Sequence, residues 1–419
     1  SSHRLLQLSC SRFQYQRLQG CEICYVFFFH EEEDAKIPIS YNAFRCVRLL
    51  FGGGVGVLTG SLLPDIRNTF SLSATQAGLL IGVWSGSFVV GSWLSARCAQ
   101  IFRLNTIFVV ASSVTFVAFA ALFVMPSILL FSPAFVLIGI MMGVSVTIGH
   151  SLIGESFPER RTAMLSALDV LFTLGSICAP LGVLALSLGG FEWRTYYLVL
   201  SGVFALLAVG LTIFLPRMPL AKKSQEDAKA ETSGFLKDPY LVLLGITGLF
   251  LGTVEWAQNS WIVSFALAEN ETYVTAQLAF AIYLSGMLVA RILTVFIAER
   301  LQIGRASLHL LSLALLGNVI LIYGPGIWSM ITGNFLIGFG IGAIFPIALG
   351  RAMDFAPGKA AVASATLLMG VIAGSQIAAV FLGWLADQLG GVGMAFKMTT
   401  PFFILLLISF ALFTRKTAR

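Results

Sequence analysis

Lysine and arginine fall almost entirely in every second gap between the apolar stretches of this chain, and that placement restricts its fold more than any short motif does. Twelve apolar stretches run at 49–63, 76–96, 105–125, 128–154, 163–188, 193–215, 240–268, 273–298, 306–324, 327–350, 360–386 and 393–413. The even-numbered gaps hold Arg97 and Arg103; Arg160 and Arg161; Arg217, Lys222, Lys223, Lys229 and Lys237; Arg300 and Arg305; Arg351 and Lys359. With Arg415, Lys416 and Arg419 in the tail, sixteen of the 26 basic residues share one side of the alternation. The odd gaps hold only Arg67, Arg194 and Lys397. Basic loops are retained on the cytoplasmic side of a bilayer, so the pattern predicts a multi-pass protein of the plasma (cytoplasmic) membrane with both termini inside.

Composition fits that topology and excludes others. Hydrophobic residues make up 57% of the chain and charged residues 11%, against about 25% charged in ordinary globular domains. Several stretches run long enough without a charge to cross a hydrocarbon core about 30 Å thick as helices. A soluble protein of 419 residues would need polar residues to coat its domains, and the sequence lacks them. The net charge of +6 is spread over loops. A nucleic-acid footprint would gather basic residues on one element, so no nucleic-acid partner is expected. The expected class is all-α, with twelve transmembrane helices.

Residues 1–42 stand apart as an atypical N-terminal extension, polar and mixed, with Tyr25-Val26-Phe27-Phe28-Phe29 running into Glu31, Glu32, Glu33 and Asp34. No cleavable signal is visible in it. The first apolar stretch is short and contains Gly52, Gly53, Gly54 and Gly56. It is either a thin helix completed by its flanks or the remainder of a helix whose native beginning has been altered, and we lean to the second. Cys21 and Cys24 have CxxC spacing, but no second pair or histidine cluster follows, so no metal or other cofactor is expected.

The long polar interruption at 217–239 reads as a cytoplasmic linker between an N-terminal bundle of six helices, 43–216, and a C-terminal one, 240–419. A constant shift of 199 residues aligns Leu137-Ile138-Gly139 with Leu336-Ile337-Gly338, Gly143 with Gly342, Glu155 with Asp354, Pro158 with Pro357, Arg160 with Lys359, and Gly175-Ser176 with Gly374-Ser375. Each half has an even number of helices, so both insert the same way round as a parallel repeat.

On these features the chain resembles the major facilitator superfamily over about 49–413. A degenerate loop motif adds to the resemblance: Arg97-Cys98-Ala99-Gln100-Ile101-Phe102-Arg103 after the second stretch, with Gln100 where the family has an acid, and Ala298-Glu299-Arg300-Leu301 after the eighth. The segments Leu168–Pro180, Phe345-Pro346 and Gly383-Trp384-Leu385-Ala386-Asp387 are most similar to the fucose/glucose:proton symporter branch. The resemblance implies two bundles rocking about a central cavity, a small-molecule solute, and a monomer in the lipid bilayer. It also implies secondary active transport, with protons as the coupling ion.

Ionisable side chains inside hydrocarbon cost about 2.5–3.5 kcal/mol on insertion scales, so each one present points to a use. Glu255 lies near the middle of the seventh stretch, with Gln258 and Asn259 at i+3 and i+4 on the same helical face. A carboxyl held there can carry a proton reversibly, and together with the amides and the rings of Trp256 and Trp261 it suits a neutral, hydroxyl-rich solute. The alternative is a glutamate satisfied by a neighbouring helix. Asp169 is either a cavity residue binding solute or ion, or a local structural partner. Arg291 resembles an arginine that the family places near its inner gate, and it is expected to pair with an acid from another helix rather than to touch the solute directly. His150 titrates near neutrality but also suits a hydrogen-bonded packing role.

Glu155 with Arg160 and Arg161, and Asp354 with Arg351 and Lys359, form matched acid–base clusters at the inner mouth of each half. Solvated loop charge is the plain reading. The family resemblance implies a network, with Glu299 and Arg300, that closes the cytoplasmic side in one state. Drug or metabolite efflux by the same architecture is the alternative function. From another class, a transporter-like sensor or a membrane enzyme would need a reactive cluster, which the four histidines and scattered acids do not supply.

Overall fold

In the computed structural model, residues 39–156, 161–214, 238–297, 303–355 and 360–417 are described. They form helices throughout, with no strand among the described residues. The first six are α1 (Ile39–Phe70), α2 (Ala74–Ile101), α3 (Leu104–Val124), α4 (Ile128–Ser156), α5 (Arg161–Leu188) and α6 (Thr195–Phe214). The second half opens with α7 (Pro239–Ala268), α8 (Tyr273–Ile297) and α9 (Ile303–Tyr323). Its last three crossings are broken. α10 (Gly326–Ile341) continues as α11 (Ile344–Phe355); α12 (Ala360–Gln376) passes through one π-helical turn, Ile377–Phe381, into α13 (Leu382–Gln388); α14 (Val392–Lys397) leads into α15 (Thr400–Thr417).

Eleven segments among the described residues are long and apolar enough to cross a membrane, and α1 packs among them as a further crossing. α1 spans 32 residues, so the short glycine-rich stretch is the middle of a longer helix. Large apolar side chains such as Leu129 (82% exposed) and Trp328 (76%) face outward, as they do where lipid takes the place of water.

Packing follows the repeat. Within the first half α1 packs on α5, α2 on α4, and α3 on both α4 and α6; within the second, α7 packs on α12, α8 on α10, and α9 on both α10 and α15. Glycines set these approaches, and the 199-residue shift relates both sides of each contact. Gly53 meets the Phe172 carbonyl and Gly252 that of Val371; Gly139 meets the Trp84 carbonyl and Gly338 that of Tyr283; Gly175 meets that of Leu50 and Gly374 that of Leu249. A Cβ at Gly175 would lie 1.5 Å from the Leu50 oxygen, so nothing larger than hydrogen fits there.

The halves meet along α1–α7, α5–α8 and α2–α13, the last two pairs exchanging places under the repeat. Gly60 of α1 touches the Asn259 carbonyl of α7, where a Cβ would come within 1.8 Å. Positions 60 and 259 are themselves related by the 199-residue shift. Repeat-equivalent residues in mutual contact place the pseudo-two-fold axis between them.

We term the face carrying the Ser71–Ser73 turn between α1 and α2 the turn face, and the opposite one, where α6 ends and α7 begins, the linker face. At the turn face the seam is closed by hydrogen bonds between halves. The Ser61 hydroxyl donates to Gln277 Oε1 (2.5 Å), Gln277 Nε2 donates to the Ser61 carbonyl (2.9 Å), and the Tyr273 hydroxyl donates to Asp65 Oδ2 (2.8 Å). Asp387 of α13 caps the opposing α2, accepting from Ala74 N (3.0 Å), Thr75 N (2.9 Å) and Thr75 Oγ1 (2.5 Å). Ser73 and Gln76 complete the same helix start as a reciprocal capping box. Four backbone N–H groups at the start of α2 are thereby satisfied, those of Ala74 and Thr75 only while the halves touch.

Candidate functional site: a polar cluster on the seam

α7 runs beside the pseudo-axis, and its polar face opens on groups from both halves. Glu255 is half-buried, hydrogen-bonds to no described residue, and lies in the fields of Arg291 and Asp169. One turn on, Gln258 is fully buried, and neither its Oε1 nor its Nε2 has a partner. Asn259 Oδ1 is likewise buried and unpaired. The Tyr283 hydroxyl of α8, also unpaired, lies in the field of Glu255. A buried polar atom without a partner costs on the order of 1–3 kcal/mol. Several of them converging beside one carboxyl mark a place where hydrogen-bonding capacity is held in reserve.

The first half supplies a second acid. His150 of α4 places Nε2 3.3 Å from Asp169 Oδ1 of α5, while its Nδ1 lies 2.9 Å from the Val146 carbonyl. Carbonyl and carboxylate oxygens only accept, so both ring nitrogens face acceptors. A neutral imidazole carries a single N–H. The pair therefore needs one proton more than a neutral imidazole and a carboxylate hold between them, carried either on the ring or on Asp169. Their side chains are 33% and 16% exposed.

Arg291 of α8 joins these parts. Its Nε donates to the Gly342 carbonyl at 3.2 Å, and its Nη1 donates to the Asp169 carbonyl at 3.4 Å and to the Thr173 hydroxyl. Gly342 opens the break between α10 and α11. Where the helix stops, that carbonyl is left for an outside donor. In place of the expected acid partner, the hydrogen bonds of Arg291 go to two carbonyls and a hydroxyl, while His150 pairs with Asp169 Oδ1. Asp169 and Glu255 remain within the guanidinium's field. Arg291 is the tie across the seam on the linker-face side of Glu255.

The two tryptophans separate. Trp256 is half-buried, its ring 5.8 Å from that of Trp84 on α2 across the seam. Trp261 is 1% exposed and donates Nε1 to the Ala378 carbonyl at 2.9 Å, in the π turn of the eleventh crossing. It packs the second half together and does not face the polar cluster. The side chains of Glu155, Arg160, Arg161, Asp354, Lys359, Glu299 and Arg300, expected at the inner mouth, lie outside the described residues, as do Cys21 and Cys24.

Thr173, Tyr283 and the Gly342 carbonyl were not expected from the sequence. Hydroxyls on apolar helices and a backbone oxygen carry no sequence signal until packing brings them to an arginine or a carboxyl. Asp387 lay in a segment singled out for family resemblance, yet its capping role depends on α2, more than 300 residues away.

A duplicated helical bundle with an interrupted polar face buried on the seam between its halves defines a membrane transport protein. The match to the Major Facilitator Superfamily covers residues 46–270. The chain belongs to that family. The chain is similar to the glucose/mannose transporter GlcP of Bacillus subtilis (strain 168), at 22% identity across 80% of this chain and 85% of that protein. A TsgA homolog of Enterobacter sp. (strain 638) is 25% identical, but the match spans only about half of that relative's length (49%). Among solved structures, the nucleoside transporter NupG matches with a TM-score of 0.72 at 15% identity, over 88% of this chain and 98% of that one. The fucose transporter FucP in its outward conformation matches with 0.64, also at 15% identity, over 90% and 98%. These likenesses establish the fold.

Proposed function

We propose that this transporter moves a small hydroxyl-rich solute, a sugar being the favoured class, by alternating access coupled to protons. The carrying observation is Gln258: a buried amide with both ends unpaired, one turn from an unpaired carboxyl, beside the axis about which the halves must move. The amides offer both donors and acceptors and the carboxyl adds acceptors, a set that suits a neutral polyol, whose hydroxyls do both. The likeness to GlcP, whose name gives glucose and mannose, points the same way.

The His150–Asp169 pair holds an exchangeable proton, and Glu255 shares the Arg291 field with Asp169. A change in that charge alters the attraction of the first half for Arg291 on the second, which links proton occupancy to the seam. A ligand or proton shifts such an equilibrium only through its differential affinity for the two states. The linker face is assigned to the cytoplasm from the basic loops.

Uptake into proteoliposomes, with a panel of hexoses and nucleosides and with or without an imposed pH gradient, tests this reading. Hexose uptake should accumulate only with the gradient, and Glu255→Gln should abolish accumulation while leaving exchange of preloaded solute measurable. Hexose flux indifferent to both the gradient and Glu255→Gln would remove the proton-coupled sugar reading.

A further inference from the structure

The turn face has two pseudo-equivalent corners on the seam, and they differ. At one, α13 meets the start of α2, and Asp387 fills the junction by capping Ala74 and Thr75. The 199-residue shift carries Asp387 to Leu188, Ser73 to Thr272 and Ala74 to Tyr273. At this second corner, where α5 meets the start of α8, Leu188 is 71% exposed and points no carboxylate across the seam. A cavity of about 170 Å³ lies there instead, lined by Asp65, Phe191, Trp193, Tyr196, Tyr273 and Ser187 among others.

The wall chemistry restricts the occupant. Four of its residues bring aromatic rings, and the only carboxylate is Asp65. The ring-bearing donors are already committed: Trp193 Nε1 to Thr69 Oγ1 (3.1 Å), the Tyr196 hydroxyl to the Cys178 carbonyl (3.3 Å), and the Tyr273 hydroxyl to Asp65 Oδ2. Asp65 Oδ1 receives no described side chain. The nearby guanidinium of Arg194 is turned to the Met125 carbonyl (2.8 Å) and sits over the rings of Phe70 and Trp193. The start of α8 is served by its own Thr272 hydroxyl, which accepts from Thr275 N (3.1 Å). What the cavity still offers is a carboxylate oxygen, the aromatic carbon of its walls and, at the rim, the Ser187 hydroxyl. That combination recognises a cation whose charge is spread over alkyl groups, and it offers little to an anion or a neutral polyol.

We propose that this corner is a binding site for a small alkylammonium ion, separate from the polar cluster on α7 and open to the turn face. Phe191 is 59% exposed at its mouth, so the ion enters from water. The site includes both halves through Tyr273 and the Asp65–Tyr273 bond, and occupancy therefore favours the state in which this face is closed. The reading stands whether or not the solute of the central cluster is a sugar.

Isothermal titration calorimetry of the full chain in dodecyl maltoside micelles, which carry no ammonium group, with tetramethylammonium chloride as probe and sodium chloride and neopentyl alcohol as controls, tests it. Saturable binding of tetramethylammonium alone is expected. Asp65→Asn and Ser187→Lys, which places a fixed cation at the rim, should each weaken it by about tenfold or more, and Phe191→Ala by about threefold. Glu255→Gln should leave the affinity as it is. Should Asp65→Asn fail to fold, the exposed changes at Ser187 and Phe191 decide. The proposal is overturned by absence of saturable binding, by equal affinity for neopentyl alcohol, or by wild-type affinity in Ser187→Lys. It is also overturned if Glu255→Gln removes the binding, which would place the ion in the central cluster.

Discussion

Gln258 and Asp169 show two ways in which a polar residue survives inside an apolar bundle. Asp169 is paired with His150, whereas Gln258 is left unpaired at full burial. Replacing Gln258 by Met removes two orphaned atoms and keeps an unbranched chain of similar length. We expect Gln258→Met to stabilise the folded protein by about 1 kcal/mol or more, raising its thermal midpoint in detergent, while transport falls sharply. A lower midpoint with intact transport would mean that the amide serves packing alone. At this scale much was legible beforehand: Glu255, Asp169, His150 and Arg291 stand out because charge in hydrocarbon is expensive. Their partners were less so. Pairing Arg291 with an acid was a reasonable reading of charge, but a guanidinium has donors for carbonyls and hydroxyls as well, and only packing decides which it meets. Trp261 was grouped with the stacking rings because it lies within two turns of Glu255, whereas its orientation is set by a carbonyl in the π turn.

Among elements, the start of α2 is the one whose stability depends on the conformation of the whole. Its first two N–H groups are capped by a side chain from the other half, so opening the turn face exposes them to water. Asp387→Asn keeps the shape but removes the charge that the helix dipole favours and puts an NH2 donor where one of the two accepting oxygens stood. The expected outcome is a shift of roughly threefold to tenfold toward the open turn face. Spin labels on Thr69 and Gln388 would report it as a longer distance population in pulsed dipolar spectroscopy. An unchanged distribution would show that the cap is incidental to closure. Element positions were well marked by the apolar stretches, and the first helix was the exception. Its apolar run is too short to span, and polar flanks complete it because a helix started within the bilayer continues until its backbone groups reach water.

For the whole molecule, the repeat goes deeper than the matched residues of the two adjacent helices where it is visible in the sequence. It extends to α1 and α7, and to α2 and α8, where the paired side chains differ but the backbone atoms they touch are equivalent. The polar cluster does not follow it. The shift takes Asp169 to Leu368, His150 to Leu349 and Glu255 to Gly56, so scaffold is shared while chemistry is not. If each half holds its own core, the linker's covalent bond is dispensable. Residues 1–225 and 226–419, co-expressed as separate chains, should copurify as a 1:1 complex, and each alone should be degraded. Failure to associate would mean that the halves require tethering at high effective concentration. Finally, the contact of Gly60 with Asn259 joins two copies of one ancestral position. The glycine on α1 lets the two backbones approach, and the equivalent place on α7 carries an amide instead, so the symmetry of this contact stops at the side chains.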